Sequence, residues 1–214
     1  MKIALIGATG FVGSAVLKEA SERGHEVTAL VRNPEKITTE NSNVHAVAVD
    51  IFDTDTLAER LRGHDIVISA YNPGWTNPNY TSDFGKGSAS VESATEKSGV
   101  KRLLVVGGGG SLFVAPGVQA VDTPEFPEEY RSPAKAARDY LNVIRGNTTL
   151  DWTFLSPAFE LTPGERTGTY RTGLENPVFD ENGRSRISVE DLAVAIVDEA
   201  ENPKHLRARF TASY

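Results

Sequence analysis

The chain has 214 residues, 39% hydrophobic and 24% charged, the balance of an ordinary globular protein long enough for one substantial core. It contains no cysteine, which excludes a disulfide framework, a thiol nucleophile and a zinc–thiolate site. A net charge of −7 argues against a nucleic-acid surface, and no apolar run approaches the roughly 20 residues of a membrane span.

Ile3, Ala4, Leu5 and Ile6 form a short apolar run that stops at glycine, the mark of a strand buried on both faces. The chain enters this strand without the basic, apolar and small-residue sections of a secretory signal, so the cytoplasm is the expected compartment. Gly7-Ala8-Thr9-Gly10-Phe11-Val12-Gly13 follows, and an apolar-periodic helix opens in its midst over residues 11–20. Strand, glycine turn and helix together are the context of a dinucleotide fingerprint. Gly7 permits the tight turn, Gly10 lets the backbone approach a pyrophosphate, and Gly13 lets the helix pack close to the strand. Thr9, Phe11 and Val12 belong to the same turn and helix start.

A second strand is expected over residues 25–31, entered through Arg23-Gly24, and Arg32-Asn33-Pro34 then turns the chain. The residue ending this strand meets the adenosine ribose in a dinucleotide fold. A carboxylate there pairs with the 2′-hydroxyl of NAD. This chain offers Arg32 instead, whose forked donors suit the 2′-phosphate of NADP. A third strand over residues 44–49 runs into Asp50 and Ile51, and Asp53 or Thr54 caps a short helix over residues 56–61.

The fourth strand, residues 65–69, delivers Ala70 and Tyr71 to the C-terminal sheet edge, where ligands bind in open α/β sheets. Residues 71–87 hold prolines, glycines and aromatics, so they read as an irregular loop, either an aromatic lid or a loop pinned by its own rings. A helix over residues 88–98 and a fifth strand over residues 102–106 follow. That strand ends in Gly107-Gly108-Gly109-Gly110-Ser111, where the backbone must pass close to something or move. After an irregular stretch to Pro127, Ser132 and Pro133 read as N-cap and first residue of a helix over residues 133–145. The sixth strand, residues 151–155, leads into Ser156-Pro157-Ala158-Phe159. Ser188 caps the last helix, and residues 207–212 close the sheet. His25, His45, His64 and His205 are scattered without metal-ligand spacing, and no P-loop lysine follows the glycines.

The G-x-x-G-x-x-G turn resembles that of the short-chain dehydrogenase/reductase superfamily, especially its extended and atypical, NmrA-like members, and the likeness continues to the ISVEDLA stretch at residues 187–193. The resemblance implies Asp50 and Ile51 beside the adenine, Ser111 on a substrate carbonyl, and Pro157 on the nicotinamide. Flavin-reductase-like members carry a histidine after that proline, where this chain has Ala158. The superfamily's catalytic Tyr-x-x-x-Lys is broken: Tyr130 and Lys135 are five apart, and Tyr130 precedes the expected helix. Lys135 remains available to the nicotinamide ribose. Helices 88–98 and 133–145 match those pairing in superfamily dimers, so the chain is expected to be a monomer or homodimer.

The expectation is a single Rossmann-like domain over residues 1–214, a doubly wound, mostly parallel sheet of about seven strands. A small substrate lobe occupies about residues 157–190. The expected activity is an NADPH-dependent reductase acting on a flavin, quinone or small carbonyl, with no metal. The alternatives are an enzyme like sugar-nucleotide epimerases and dehydratases, and an NADP-binding redox sensor without turnover.

Overall fold

The computed structural model describes all 214 residues. The elements in chain order are β1 (Lys2–Ile6), α1 (Phe11–Glu22), β2 (Glu26–Val31), β3 (Val44–Ala48), α2 (Thr54–Leu61), β4 (Ile66–Ser69) and α3 (Tyr80–Ser98). β5 (Arg102–Val106), the small hairpin β6 (Phe113–Ala115) and β7 (Val118–Gln119), and α4 (Glu128–Ile144) come next. The chain ends with β8 (Asp151–Pro157), β9 (Glu160–Thr162), β10 (Arg171–Gly173), β11 (Arg186–Ser188), α5 (Val189–Glu201) and β12 (Ala208–Ser213).

The main sheet has eight strands in the order β10-β12-β8-β5-β4-β1-β2-β3. Seven are parallel, as the sequence suggests, and β10 adds an antiparallel edge through Arg171 opposite Ser213. Arg171-Thr172-Gly173 carries no apolar alternation, which is why this strand is invisible in the sequence. One face of the sheet packs on α1 and α5 through Leu5, Ile68, Leu155, Val16 and Ile196. The other packs on α2, α3 and α4 through Ile6, Val67, Leu103, Leu57 and Tyr140. Each such buried aliphatic side chain stabilises the fold by roughly 1.5–3 kcal/mol. The strand order reverses between β1 and β4, so the topological switch point lies at Gly7 and Ala70.

Two helix starts differ from expectation. Helix α3 begins at Tyr80, inside the stretch expected to be irregular. Tyr80 and Phe84, one turn apart, are buried and stacked at 5.9 Å, and this packing overrides the weak helix propensity of Gly85 and Gly87. Helix α4 begins at Glu128, so Pro133 lies inside it and Tyr130 is helical rather than preceding the helix. Arg131 holds the added turn, donating to the carbonyls of Val121 (2.5 Å) and Phe126 (2.8 Å) and to Glu128 (2.6 Å). Glu128 and Glu129 also favour the positive end of the helix. The caps at Asp53, which accepts from Thr56 N–H, and Ser188, which accepts from Asp191 N–H, are as expected.

The segment after β8 is tied to the sheet's first helix. Glu19 of α1, 4% exposed, receives two hydrogen bonds from Arg166 (2.6 and 2.7 Å) and one from Arg23 (2.7 Å). Asp191, fully buried at the start of α5, accepts from Thr167 Oγ1 (2.6 Å), Gly168 N–H (2.7 Å) and the Tyr214 hydroxyl (2.7 Å). No helix is long and apolar enough to cross a membrane.

Candidate functional site

The glycine turn is built by contacts that exclude side chains at two positions and leave a third open. Gly7 has φ +81°, and a Cβ there would lie 2.5 Å from the Ala70 carbonyl oxygen. A Cβ on Gly13 would lie 2.0 Å from the Gly7 carbonyl oxygen, because α1 starts directly against the turn. Gly10 is different. Its φ of −81° and ψ of 172° suit any residue, and a Cβ would meet only the Gly7 carbonyl, at 3.3 Å. Gly10 is exposed, so its bare Cα faces outward from the turn. The leading N–H groups of α1 have no intrahelical partner, no side chain caps them, and the first turn holds no acid. Free donors at the positive end of a helix beside an unobstructed backbone fit a pyrophosphate.

Around that turn the expected cofactor residues gather at the C-terminal edge of the sheet. Ala70 N–H donates to the Ile6 carbonyl at 3.0 Å, which fixes the β4 exit against the turn. Tyr71 donates to the Asp83 carbonyl at 3.1 Å. Burial, with the charge of Asp83 second, pushes its phenol up to about 12. Arg32 and Asp50 are near enough to act on that phenol, Arg32 lowering and Asp50 raising it. Asp50 accepts from Phe52 N–H at 3.0 Å and turns the chain so that Ile51 is buried. A Cβ at Gly87 of α3 would lie 2.3 Å from the Tyr71 ring and 2.9 Å from Ile51, so this glycine seats both residues. In the sequence Gly87 reads as one of the glycines of the irregular stretch 71–87, and only the fold puts it inside α3.

The glycine run after β5 is close-packed. Cβ atoms at Gly107, Gly109 and Gly110 would lie 1.9 Å from the Phe154 ring, 2.6 Å from the Pro157 carbonyl and 2.7 Å from Ala134. The backbone passes close to something, and that something is the protein itself. Pro157, at the end of β8, thus lies against Gly109. Ser111 follows the run, 1% exposed, and its oxygen accepts from Arg209 Nη1 at 2.9 Å. The Arg209 side chain is fully buried and also pairs with Glu175. Ser111 is therefore held by Arg209 in the interior, out of contact with solvent. Arg209, 98 positions away, was not identified from sequence.

Tyr130 and Lys135 are not brought together. Tyr130, half exposed, packs edge-on against Trp75 at 5.8 Å, and Trp75 stacks on Tyr80 at 5.8 Å. Lys135 is exposed. Five residues of α-helix separate two side chains by about 140° around the axis. The loop over residues 71–79 is pinned by its own aromatics, with Asn72 donating to the Tyr80 hydroxyl at 2.9 Å. His25, His64 and His205 bond to Glu201, Thr28 and Glu199, and no group of three or more acidic or imidazole side chains is placed to hold a metal.

A family described as NAD(P)H-binding matches residues 7–203. The uncharacterised protein YwnB of Bacillus subtilis is 40% identical over 214 residues, covering 99% of this chain and 97% of that protein. A solved structure from Bacteroides thetaiotaomicron, provisionally called an epimerase, is 47% identical with a TM-score of 0.93 and covers 100% of this chain and 96% of its own. Another, from Streptococcus pneumoniae and provisionally called an NADH-flavin reductase, is 36% identical with a TM-score of 0.85, covering 100% and 99%.

Proposed function

The chain belongs to the NAD(P)H-binding family, and on that premise we propose that it is an NADPH-dependent reductase of the atypical, NmrA-like short-chain type, passing hydride to a flavin or quinone. The observation that carries this reading is the separation of Tyr130 from Lys135 on α4. A short-chain carbonyl reductase or sugar-nucleotide epimerase uses a phenol–ammonium pair to move the proton on the reacting carbonyl or hydroxyl oxygen. An acceptor that stabilises its own added charge does not need that pair.

The α1 N-terminus and the bare Gly10 backbone hold the pyrophosphate, and Arg32 takes the 2′-phosphate. Tyr71, Ile51 and Asp50 form the adenosine side of the cleft, and Gly107 and Pro157 form the far end. A bound nicotinamide supplies the hydride. Tyr71, with its phenol raised to about 12, stays neutral and bonded to the Asp83 carbonyl, so it orients rather than titrates. Ser111, buried with its oxygen engaged by Arg209, fixes the end of the glycine run beside the acceptor. Residues of about 157–190 act as the acceptor lobe of one cofactor-binding unit, and positioning supplies most of the rate.

The test is NADPH oxidation, followed at the nicotinamide absorbance, with FMN, riboflavin, quinones and small aliphatic carbonyls. Turnover of the planar acceptors well above the carbonyls is expected. Turnover of carbonyls alone, or conversion of a sugar nucleotide without net oxidation, would overturn the reading.

A further inference from the structure

Two half-exposed aromatic rings stand at the Pro157 end of the cleft and have no role in cofactor binding. Phe159 leaves β8 two residues after Pro157 and is 41% exposed. Phe179, from the segment between β10 and β11, is 46% exposed. Their centroids are 6.4 Å apart with the planes at 60°, an edge-to-face pair. A single exposed phenyl needs no explanation. These two, however, are held in place from both sides. Glu160 N–H donates to the Ser185 carbonyl at 2.9 Å and Asp180 N–H to the Arg184 carbonyl at 2.8 Å. Arg171 donates to the Phe179 carbonyl at 2.7 Å. The first ring also lies beside the glycine run: a Cβ on Gly109 would be in ordinary contact with Phe159 Cδ1, at 3.4 Å. Phe159 is therefore fixed against the end of β5, with one part of its surface packed and the rest facing solvent.

We propose that Phe159, buttressed by Phe179, is the stacking wall for a planar conjugated acceptor of the isoalloxazine or naphthoquinone class. The proposal rests on the reductase reading and names the side chains that recognise its acceptor. The charges nearby are already engaged, Arg184 with Glu160 and Arg186 with Asp180. The wall consequently offers carbon rather than free charge, and it recognises the ring system rather than a phosphate tail.

The experiment is calorimetric titration of riboflavin and FMN into the protein saturated with NADP⁺, for wild type, Phe159→Leu and Phe159→Trp. KM values for menadione and for a compact aliphatic aldehyde are measured alongside. Leucine keeps the apolar volume and loses the ring, so riboflavin and FMN binding should both weaken roughly 3- to 10-fold. The menadione KM should rise in step, the aldehyde KM and NADP⁺ affinity should hold, and tryptophan should restore binding. Unchanged riboflavin affinity in Phe159→Leu overturns the proposal, as does a parallel loss of NADP⁺ affinity, which would mark a structural role. Wild type that binds NADP⁺ but neither flavin nor menadione sinks the wall and spares the cofactor site. Wild type that binds no NADP(H) sinks both.

Discussion

Adding one methyl group at Gly10 and at Gly13 should separate binding from folding. At Gly13 the new carbon would fall 2.0 Å from the Gly7 carbonyl oxygen, a backbone atom that no rotamer change can move aside. Overpacking of this kind costs about 1–3 kcal/mol, so Gly13→Ala should lower Tm by roughly 2–12 °C for a domain of this size. At Gly10 the backbone already suits alanine and the nearest contact is 3.3 Å. The loss of glycine at an N-cap costs only a few tenths to about 1 kcal/mol, partly offset by a stiffer unfolded chain. Gly10→Ala should therefore keep its Tm within a few degrees of wild type. The methyl would, however, stand where a phosphate must approach the α1 N–H groups. Losing an anion–helix contact of up to about 2 kcal/mol weakens NADPH by as much as ~30-fold. Differential scanning calorimetry and NADPH titration on both variants read the two effects. Wild-type NADPH affinity in a folded Gly10→Ala protein would refute the phosphate cradle.

Two further outcomes follow from single charged side chains. Arg32→Ala should weaken NADPH about 10- to 150-fold, the worth of one charge-assisted contact, and leave NADH nearly unchanged, as titration of both cofactors will show. Equal losses would place Arg32 on the adenine instead. For Asp191, burial pushes the carboxyl up, but hydrogen bonds from Thr167, Gly168 and Tyr214 outweigh it and hold the group below its ordinary value. Its contribution is present above the unfolded carboxyl value of about 3.9 and disappears as pH falls through the lower folded value. Urea midpoints should drop through that acid window in wild type and drop less in Asp191→Asn, and parallel curves would remove Asp191 from the acid response.

Much of the first half of the sheet was legible because its signals are local. Arg102–Val106 is bracketed by polar and glycine residues, and both of its ends are where the apolar run places them. Arg32 sits directly after a strand whose length alternation and flanking glycine make plain. What escaped depends on partners distant in the chain. The start of α3 is decided by Tyr80 stacking on Phe84, and the start of α4 by Arg131 gripping the loop before it. The four-glycine run told of a close backbone approach or a mobile one, without naming a partner. Its cause lies in Phe154, Pro157 and Ala134, which only the folded chain brings against it. Ser111 was legible as a position but not as a side chain held by Arg209.

Helix α1 serves two masters, and this bears on how such a protein can diversify. Its first turn carries the free N–H groups beside the glycine turn, while Glu19, two turns on, grips Arg166 from 147 positions away. Any lineage that reshapes residues 163–170 to admit a new acceptor also disturbs the helix that carries those donors. The Phe179 side of the cleft carries no bond to α1, and beyond Glu175, which pairs with the buried Arg209, and Asn176, which donates to the Phe113 carbonyl, its ties are to neighbouring turns. Acceptor range should thus evolve through substitutions and length changes at residues 177–183, with Glu19 and Arg166 changing only as a pair. A library built for altered acceptor range is best concentrated on residues 177–183.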